Sequence, residues 1–268
     1  MLMEDQEISP EFADNLYDNI FRIWANPEIE RRKAVGKVLE GYKPWAVQVL
    51  MEPTIPNQVR FDEEVNGVFR AAPTAEIPGG ETLGPLNFHK VAKSIVSFEL
   101  SGNDSANAGH ITLVRHIEGF YIAFDFHYNA TRIADHVLAA RQFLDGAKLS
   151  LGQGLLRVFV ADLYHAVELL AKASLFKLGH ATLITSKKHE YIRSQYNLHA
   201  RSGITEPRFA PLLNELVALR NNARYPDCPF LLDPDASRVM MTSAEEMFKA
   251  VVAQAHPRTQ QLLQQGGA

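Results

Sequence analysis

Arg220 and Arg224 stand four residues apart in Leu219-Arg220-Asn221-Asn222-Ala223-Arg224-Tyr225-Pro226-Asp227, which closes an apolar-periodic run beginning near Pro207. That spacing puts both guanidinium groups on one face of a helix that ends at a proline. Two like charges so placed cost an isolated helix roughly 0.2–0.5 kcal/mol, whereas a helix C-terminus favours cations by about 0.3–1 kcal/mol. The pair suits either a solvated or salt-bridged helix end or a site for a phosphate-bearing partner. In the second case the arginines pair with phosphate oxygens, Asn221 stands beside them, and Tyr225 offers a ring or a hydroxyl.

A second set of reactive side chains lies on the clearest helical pattern in the chain. Leu156, Phe159, Leu163, Ala166, Leu170 and Ala173 form its apolar stripe, and Asp162, His165, Glu168 and Lys172 fall at spacings of 3, 3 and 4 on the opposite side. Glu168 and Lys172 have the spacing of a favourable ion pair. As chemistry, the stripe supplies an acid or a base, with His165 titrating near neutral pH. As structure, it is a solvated face, or it holds Arg220 through a carboxylate–guanidinium bridge.

The stretch from Lys187 to Arg224 is locally basic. Lys187, Lys188, Arg193, Arg201, Arg208, Arg220 and Arg224 face only Glu190, Glu206 and Glu215, which leaves +4 in a chain of net charge −4. Tyr191, Tyr196 and Tyr225 are interleaved. Arginine with aromatic rings serves single-stranded nucleic acid or a nucleotide base through phosphate contacts and stacking; an ordinary basic helical surface has the same composition. The net charge and a pI near 6.2 argue against coating nucleic acid by bulk charge, and leave a local patch open.

Other chemistries find little support. Histidines 110, 116 and 127 fall in a strand-like region with no acidic or cysteine partner at a metal-ligand spacing, and read as exposed or hydrogen-bonded strand residues. Gly152-Gln153-Gly154 lacks the preceding strand and third glycine of a dinucleotide fingerprint, and reads as a helix break. The single cysteine, Cys228, excludes a disulfide framework and a cysteine-cluster zinc site. No cofactor and no metal are expected. The acidic N-terminal stretch lacks the basic and apolar regions of a signal peptide, and no run of apolar residues is long enough to span a bilayer. These features point to a cytoplasmic protein with no membrane partner.

The elements that must position these groups divide the 268 residues into two halves. Residues 11–40 carry helical periodicity (Phe12, Leu16, Ile20, Ile23, Trp24), with a break at Asn26-Pro27 and a second helix to Leu39, on which Arg31-Arg32-Lys33 reads as a solvated face. Short strands follow at residues 46–51 and 59–62. A proline- and glycine-rich loop covers 71–87. Strands at 93–100, 111–114 and 120–126, joined by short polar links, read as an antiparallel meander. Beyond residue 129 strand signals cease. Helices are expected from an N-cap at Thr131, over the stripe ending at Gly179, around 188–196, from Pro207 to Arg224, and after a capping box at Ser243-x-x-Glu246, with a frayed tail over 260–268.

Ala161-Asp162-Leu163-Tyr164-His165-Ala166-Val167-Glu168-Leu169-Leu170-Ala171-Lys172-Ala173, the glycine after that helix, the helix of His189, and Arg220 to Asp227 together resemble the HEPN family (higher eukaryotes and prokaryotes nucleotide-binding domains). The resemblance covers roughly residues 131–255; the first half resembles no family. It implies a small all-α domain that acts as a homodimer. Many such proteins are metal-independent RNases of toxin or defence type, whose motif is an arginine, commonly followed by a polar residue, with a histidine four to six residues on. Arg220-Asn221 match the first two positions, but Tyr225 stands after the next three residues and no histidine follows before His256. A tyrosine, with a pKa of about 10, is a poor base. Members without the histidine bind nucleotides or act as partner-binding modules, and the Arg-Tyr-Pro-Asp ending resembles that group.

The expected fold is α+β: N-terminal helices with a small antiparallel sheet over residues 1–129, then a HEPN-like all-α bundle over 130–268. The expected function is binding of a nucleotide or RNA phosphate by Arg220, Asn221, Arg224 and Tyr225, with Asp162, Glu168 and Lys172 beside them. One alternative is an RNase in which Arg220 works with His165 or His189. The other is a non-enzymatic scaffold in which Arg220 and Arg224 are bridged internally to Glu168 or Asp162.

Overall fold

The computed structural model describes residues 9–72, 88, 92, 94–102, 104–116 and 119–267. The acidic stretch of residues 1–8 and all but the first two residues of the loop over 71–87 lie outside them. Two compact units emerge: Met1–Met51, Pro56–Asp104 and Gly109–Phe126 form one, and Glu52–Ile55, Ser105–Ala108 and His127–Ala268 the other.

The first unit begins with α1, Pro10–Ile20, whose first turn is capped by the Ser9 hydroxyl accepting the Phe12 N–H at 3.2 Å. A π-helical turn, Phe21–Ala25, then leads into α2, Asn26–Ala34. The break expected at Asn26-Pro27 does not occur, because the wider turn accommodates a proline that has no N–H to donate. Helix α2 ends at Ala34, short of the expected Leu39, and Gly36 follows at φ 72°. Nor is Arg32 part of a solvated face. Its guanidinium binds Glu28 (2.7 Å) and Glu64 (2.8 Å) and lies 4.7 Å over the Phe61 ring. Arg31, with Arg32 adding, holds the Glu28 carboxyl down at about 2.

Strands β1 (Ala46–Met51), β2 (Gln58–Phe61), β5 (Gly109–His116) and β6 (Gly119–Asp125) form an antiparallel sheet in the order β2-β1-β5-β6. Strands β3 (Val68–Ala71) and β4 (Ile95–Glu99) form a separate pair. The expected meander is therefore only a β5–β6 hairpin. Alternation does not say which strand β4 pairs with, and Phe98 finds Phe69 of β3, ring centroids 4.7 Å apart, while Val96 stays exposed. On the larger sheet Val47, Ile111 and Leu113 pack with Ile20, Ala25 and Ile29, while Ala46 and Val114 pack with Phe88 and Ala92. Both faces are covered, so the polar residues between them must be satisfied internally: Gln48 donates to Thr112 Oγ1 (3.1 Å), and His110 Nδ1 lies 3.0 Å from the same oxygen.

The second unit is all-α in its long elements. After a helical turn, α3 (Asp104–Asn107), come α4 (Ala130–Gly152), α5 (Leu156–Phe176), α6 (Ala181–Thr185), α7 (His189–Arg201), α8 (Ala210–Arg224), α9 (Pro234–Ala253) and α10 (Pro257–Gln265). Asn129, at φ 61°, precedes α4, so Thr131 lies inside the helix and not at its cap. Asp233 caps α9 by accepting the Ala236 N–H at 2.9 Å, which leaves Ser243 and Glu246 in mid-helix. The tail expected to fray is α10, anchored by buried Thr259 and Leu263. Phe159, Leu163, Ala166, Leu170 and Ala173 of α5 are fully buried at the centre of the bundle core. Among the described residues no helix is long and apolar enough to cross a membrane.

Candidate functional site

Three helices bring the candidate groups together around Tyr164, a fully buried residue of α5. One turn further along α5, Glu168 accepts the Tyr164 hydroxyl at 3.0 Å. Its Oε1 also lies 2.5 Å from Nδ1 of His189, the first residue of α7. From α8, the Arg220 guanidinium carbon sits 4.5 Å over the Tyr164 ring. The His189 and His165 rings stand 6.0 and 5.5 Å from the same ring. One aromatic side chain thus has a carboxylate at its hydroxyl, a guanidinium on its face and two imidazoles at its edge.

The electrostatics follow from this crowding. Burial raises the Tyr164 hydroxyl well above its ordinary pKa, the Glu168 carboxylate adds to the shift, and Arg220 opposes it. Tyr164 is therefore a proton donor to Glu168 and not a base. Burial also holds His165 below the ordinary histidine value, and the nearby Arg220 charge lowers it further. His165 is neutral at pH 7 and packs 5.2 Å from the Phe143 ring.

The polar stripe expected on one side of α5 is divided by the packing. Glu168 is buried, its side chain only 8% exposed, because the start of α7 lies over it. It takes its hydrogen bonds from Tyr164 and His189, and no ion pair with Lys172 forms. Lys172 instead bears on His136 of α4, whose pKa burial lowers and the lysine charge lowers further. Asp162 packs against α4 at Gly146, where even a methyl group would come within 3.1 Å of its Oδ2. Burial raises the Asp162 carboxyl, with His165 opposing. No ion pair joins Arg220 or Arg224 to Glu168 or Asp162, so the internal bridge of the scaffold alternative is not formed.

The α8 exit is organised by a residue that sequence reasoning passed over. Arg157, in the first turn of α5, donates to the carbonyls of Asn222 (2.6 Å), Ala223 (3.1 Å), Tyr225 (2.9 Å) and Cys228 (3.1 Å), and lies 5.0 Å over the Phe230 ring. The last carbonyls of a helix have no partner within it, and a cation there also complements the helix dipole. Asn221, Arg224 and Tyr225 are exposed at this end, with Arg224 5.7 Å over the Tyr225 ring. They adjoin Arg220 along the chain without contacting the Glu168 cluster. A reciprocal amide pair, Asn197 with Asn214 at 3.0 Å in each direction, ties α7 to α8 and so relates His189 to Arg220.

The arrangement offers one guanidinium, unpaired with any carboxylate among the described residues, beside a carboxylate-oriented imidazole. That combination receives an anion and supplies a proton donor or acceptor at its edge. Residues 133–255, which contain all of these groups, match the family model of the HEPN domain, and the N-terminal part matches no family. No curated protein matches the chain.

Proposed function

We propose that the HEPN domain in the C-terminal half of this chain binds a nucleotide or an RNA phosphate at the Arg220 end of α8. The observation that carries this reading is Arg220 itself: it lies over Tyr164, bears on that residue's hydroxyl, and makes no ion pair among the described residues, so donors not engaged by Tyr164 are left for phosphate oxygens. Arg224 and Tyr225, exposed on the same exit, supply a second cation and a ring for stacking. The internal carboxylates do not compete, since Glu168 is already held by Tyr164 and His189. Filter retention of labelled RNA tests the reading: the wild-type chain retains RNA, and Arg220→Ala loses retention while keeping its helical circular dichroism. Equal retention by the two proteins refutes it.

A second reading is favoured by one contact, the 2.5 Å approach of His189 to Glu168. A carboxylate that fixes the orientation of an imidazole, whose side chain is still 49% exposed, makes a general acid or base beside Arg220. In RNA cleavage the 2′-oxygen would bond to phosphorus as its proton passes to the imidazole. The bond to the 5′-oxygen would then break and that oxygen take up a proton, leaving a 2′,3′-cyclic phosphate and a 5′-hydroxyl. Arg220 would stabilise charge on the phosphoryl oxygens. EDTA-resistant cleavage lost in both His189→Ala and Arg220→Ala selects this reading; RNA retained intact selects binding alone.

The proposal includes a homodimer built through the helical half and a division into domains at residues 129/130. Exposed Leu149, Leu155, Val158 and Leu231 support the first, as apolar surface suited to burial against a second copy. The division is supported by separate cores on either side of it. Light scattering of the purified chain and limited proteolysis test these two points. A nucleic-acid or nucleotide ligand accords with a cytoplasmic location.

A further inference from the structure

Within the N-terminal unit lies a cleft of about 720 Å³, inside the range of roughly 300–1,000 Å³ common for small-molecule sites. One wall is aromatic. Tyr17 stacks on Phe21 (ring centroids 4.5 Å) and on Phe120 (5.0 Å), and all three rings are only half-buried. Phe21 is the first residue of the π-helical turn, a feature that recurs where helices are interrupted for function. Another part of the lining is held by hydrogen bonds. Tyr42 donates to Asp62 at 2.6 Å, and the same carboxylate accepts the N–H groups of Trp45 (2.8 Å) and Ala46 (3.1 Å). Asp62 sits at φ 53°, a conformation that a non-glycine residue keeps only where its surroundings over-determine it.

The charges of the lining are unevenly used. Lys33 and Glu30 neutralise each other at 3.0 Å, and Lys33 also meets Glu40 at 3.1 Å. Lys43 and Arg115 line the cleft, are exposed, and make no ion pair among the described residues. Asp14, also on the lining, makes none either. Two cations, one carboxylate and a stacked aromatic wall therefore face one space.

We propose that this cleft binds a small anionic ligand built on a planar ring and of mononucleotide size. The ring lies against Tyr17 and Phe120, the anionic group meets Lys43 and Arg115, and a hydroxyl or amino donor of the ligand reaches Asp14. The site is separate from the Arg220 cluster and does not depend on the function assigned to the helical half.

Calorimetry on the full chain tests this with three probes: AMP, which has ring and charge; adenosine, which has the ring alone; and inorganic phosphate, which has the charge alone. Each titration is run in the wild type and in Arg220→Ala, so that binding at the helical half is subtracted. In the Arg220→Ala chain AMP is expected to bind at least tenfold more tightly than adenosine or phosphate. Adding Arg115→Glu or Lys43→Glu, both at exposed positions, weakens it at least tenfold. Phe120→Leu keeps the apolar bulk and removes the ring, and lowers AMP affinity with little change for phosphate. The proposal is overturned if AMP does not bind the Arg220→Ala chain at millimolar concentration, if adenosine binds as tightly, or if the charge reversals leave AMP affinity unchanged.

Discussion

The Glu168 carboxylate lies 2.5 Å from His189 Nδ1 and joins the middle of α5 to the first residue of α7. Because Tyr164 donates to the same oxygen at 3.0 Å, two helices and one buried hydroxyl depend on a single side chain. Glu168→Ala leaves that hydroxyl buried without an acceptor, and the expected loss is about 2–3 kcal/mol in urea unfolding. Glu168→Gln keeps an acceptor and is expected to lose about 1 kcal/mol. Equal stability of Glu168→Ala and wild type would show that the cluster contributes nothing to the bundle.

Arg157 organises the α8 exit through four carbonyls. Its removal leaves helix-end carbonyls to water and frees the segment that presents Arg224 and Tyr225. Arg157→Ala is expected to cost about 2 kcal/mol. It should also weaken RNA retention although Arg157 is not assigned to the phosphate. Arg157→Lys, with a single ammonium and no planar fork, should recover only part of both losses.

Stability should depend on pH through His136 and His165. Burial lowers the folded pKa of each, so just below the unfolded value of about 6.5 the unfolded chain binds more protons. Stability is then full above about pH 6.5 and falls as pH drops through the lower folded values. Asp162 is shifted the opposite way, raised by burial, and acts upward from about 3.8. A higher urea midpoint at pH 7.5 than at pH 5.5, flattened in a His136→Gln/His165→Gln chain, is the expected result. A wild-type midpoint that does not move between these values contradicts it.

Salt dependence tests whether both arginines of the exit meet phosphate. Each phosphate contact contributes roughly 0.7 to the slope of log affinity against log salt for a single strand. Arg224→Gln should lower that slope by about this amount and leave the hydrogen-bond network of the site intact. Arg220→Gln should lower it similarly and also remove the guanidinium from the Tyr164 ring, which lies 4.5 Å away. Unchanged slopes in both variants would place the phosphate elsewhere.

The parts of this protein legible in its sequence are those set by neighbours along the chain. Gly154 at φ 72° and Gly179 at φ 66° stand just beyond the ends of α4 and α5, in a backbone conformation that few other residues tolerate. The apolar spacing of α5 marked the centre of the bundle core, and Pro226 marked the exit of α8. Tertiary structure decided what covers each face. Glu168 lies on the polar side of α5 by spacing, yet it is buried because α7, more than a turn of chain away, crosses over it. Ile95–Glu99 alternates like any strand, and only packing chose Val68–Ala71 as its partner. Arg157 carries no local pattern at all. Its role arises because the carbonyls of residues 222–228 end in front of it, 65 or more positions away, and unsatisfied carbonyls select a donor by position in space.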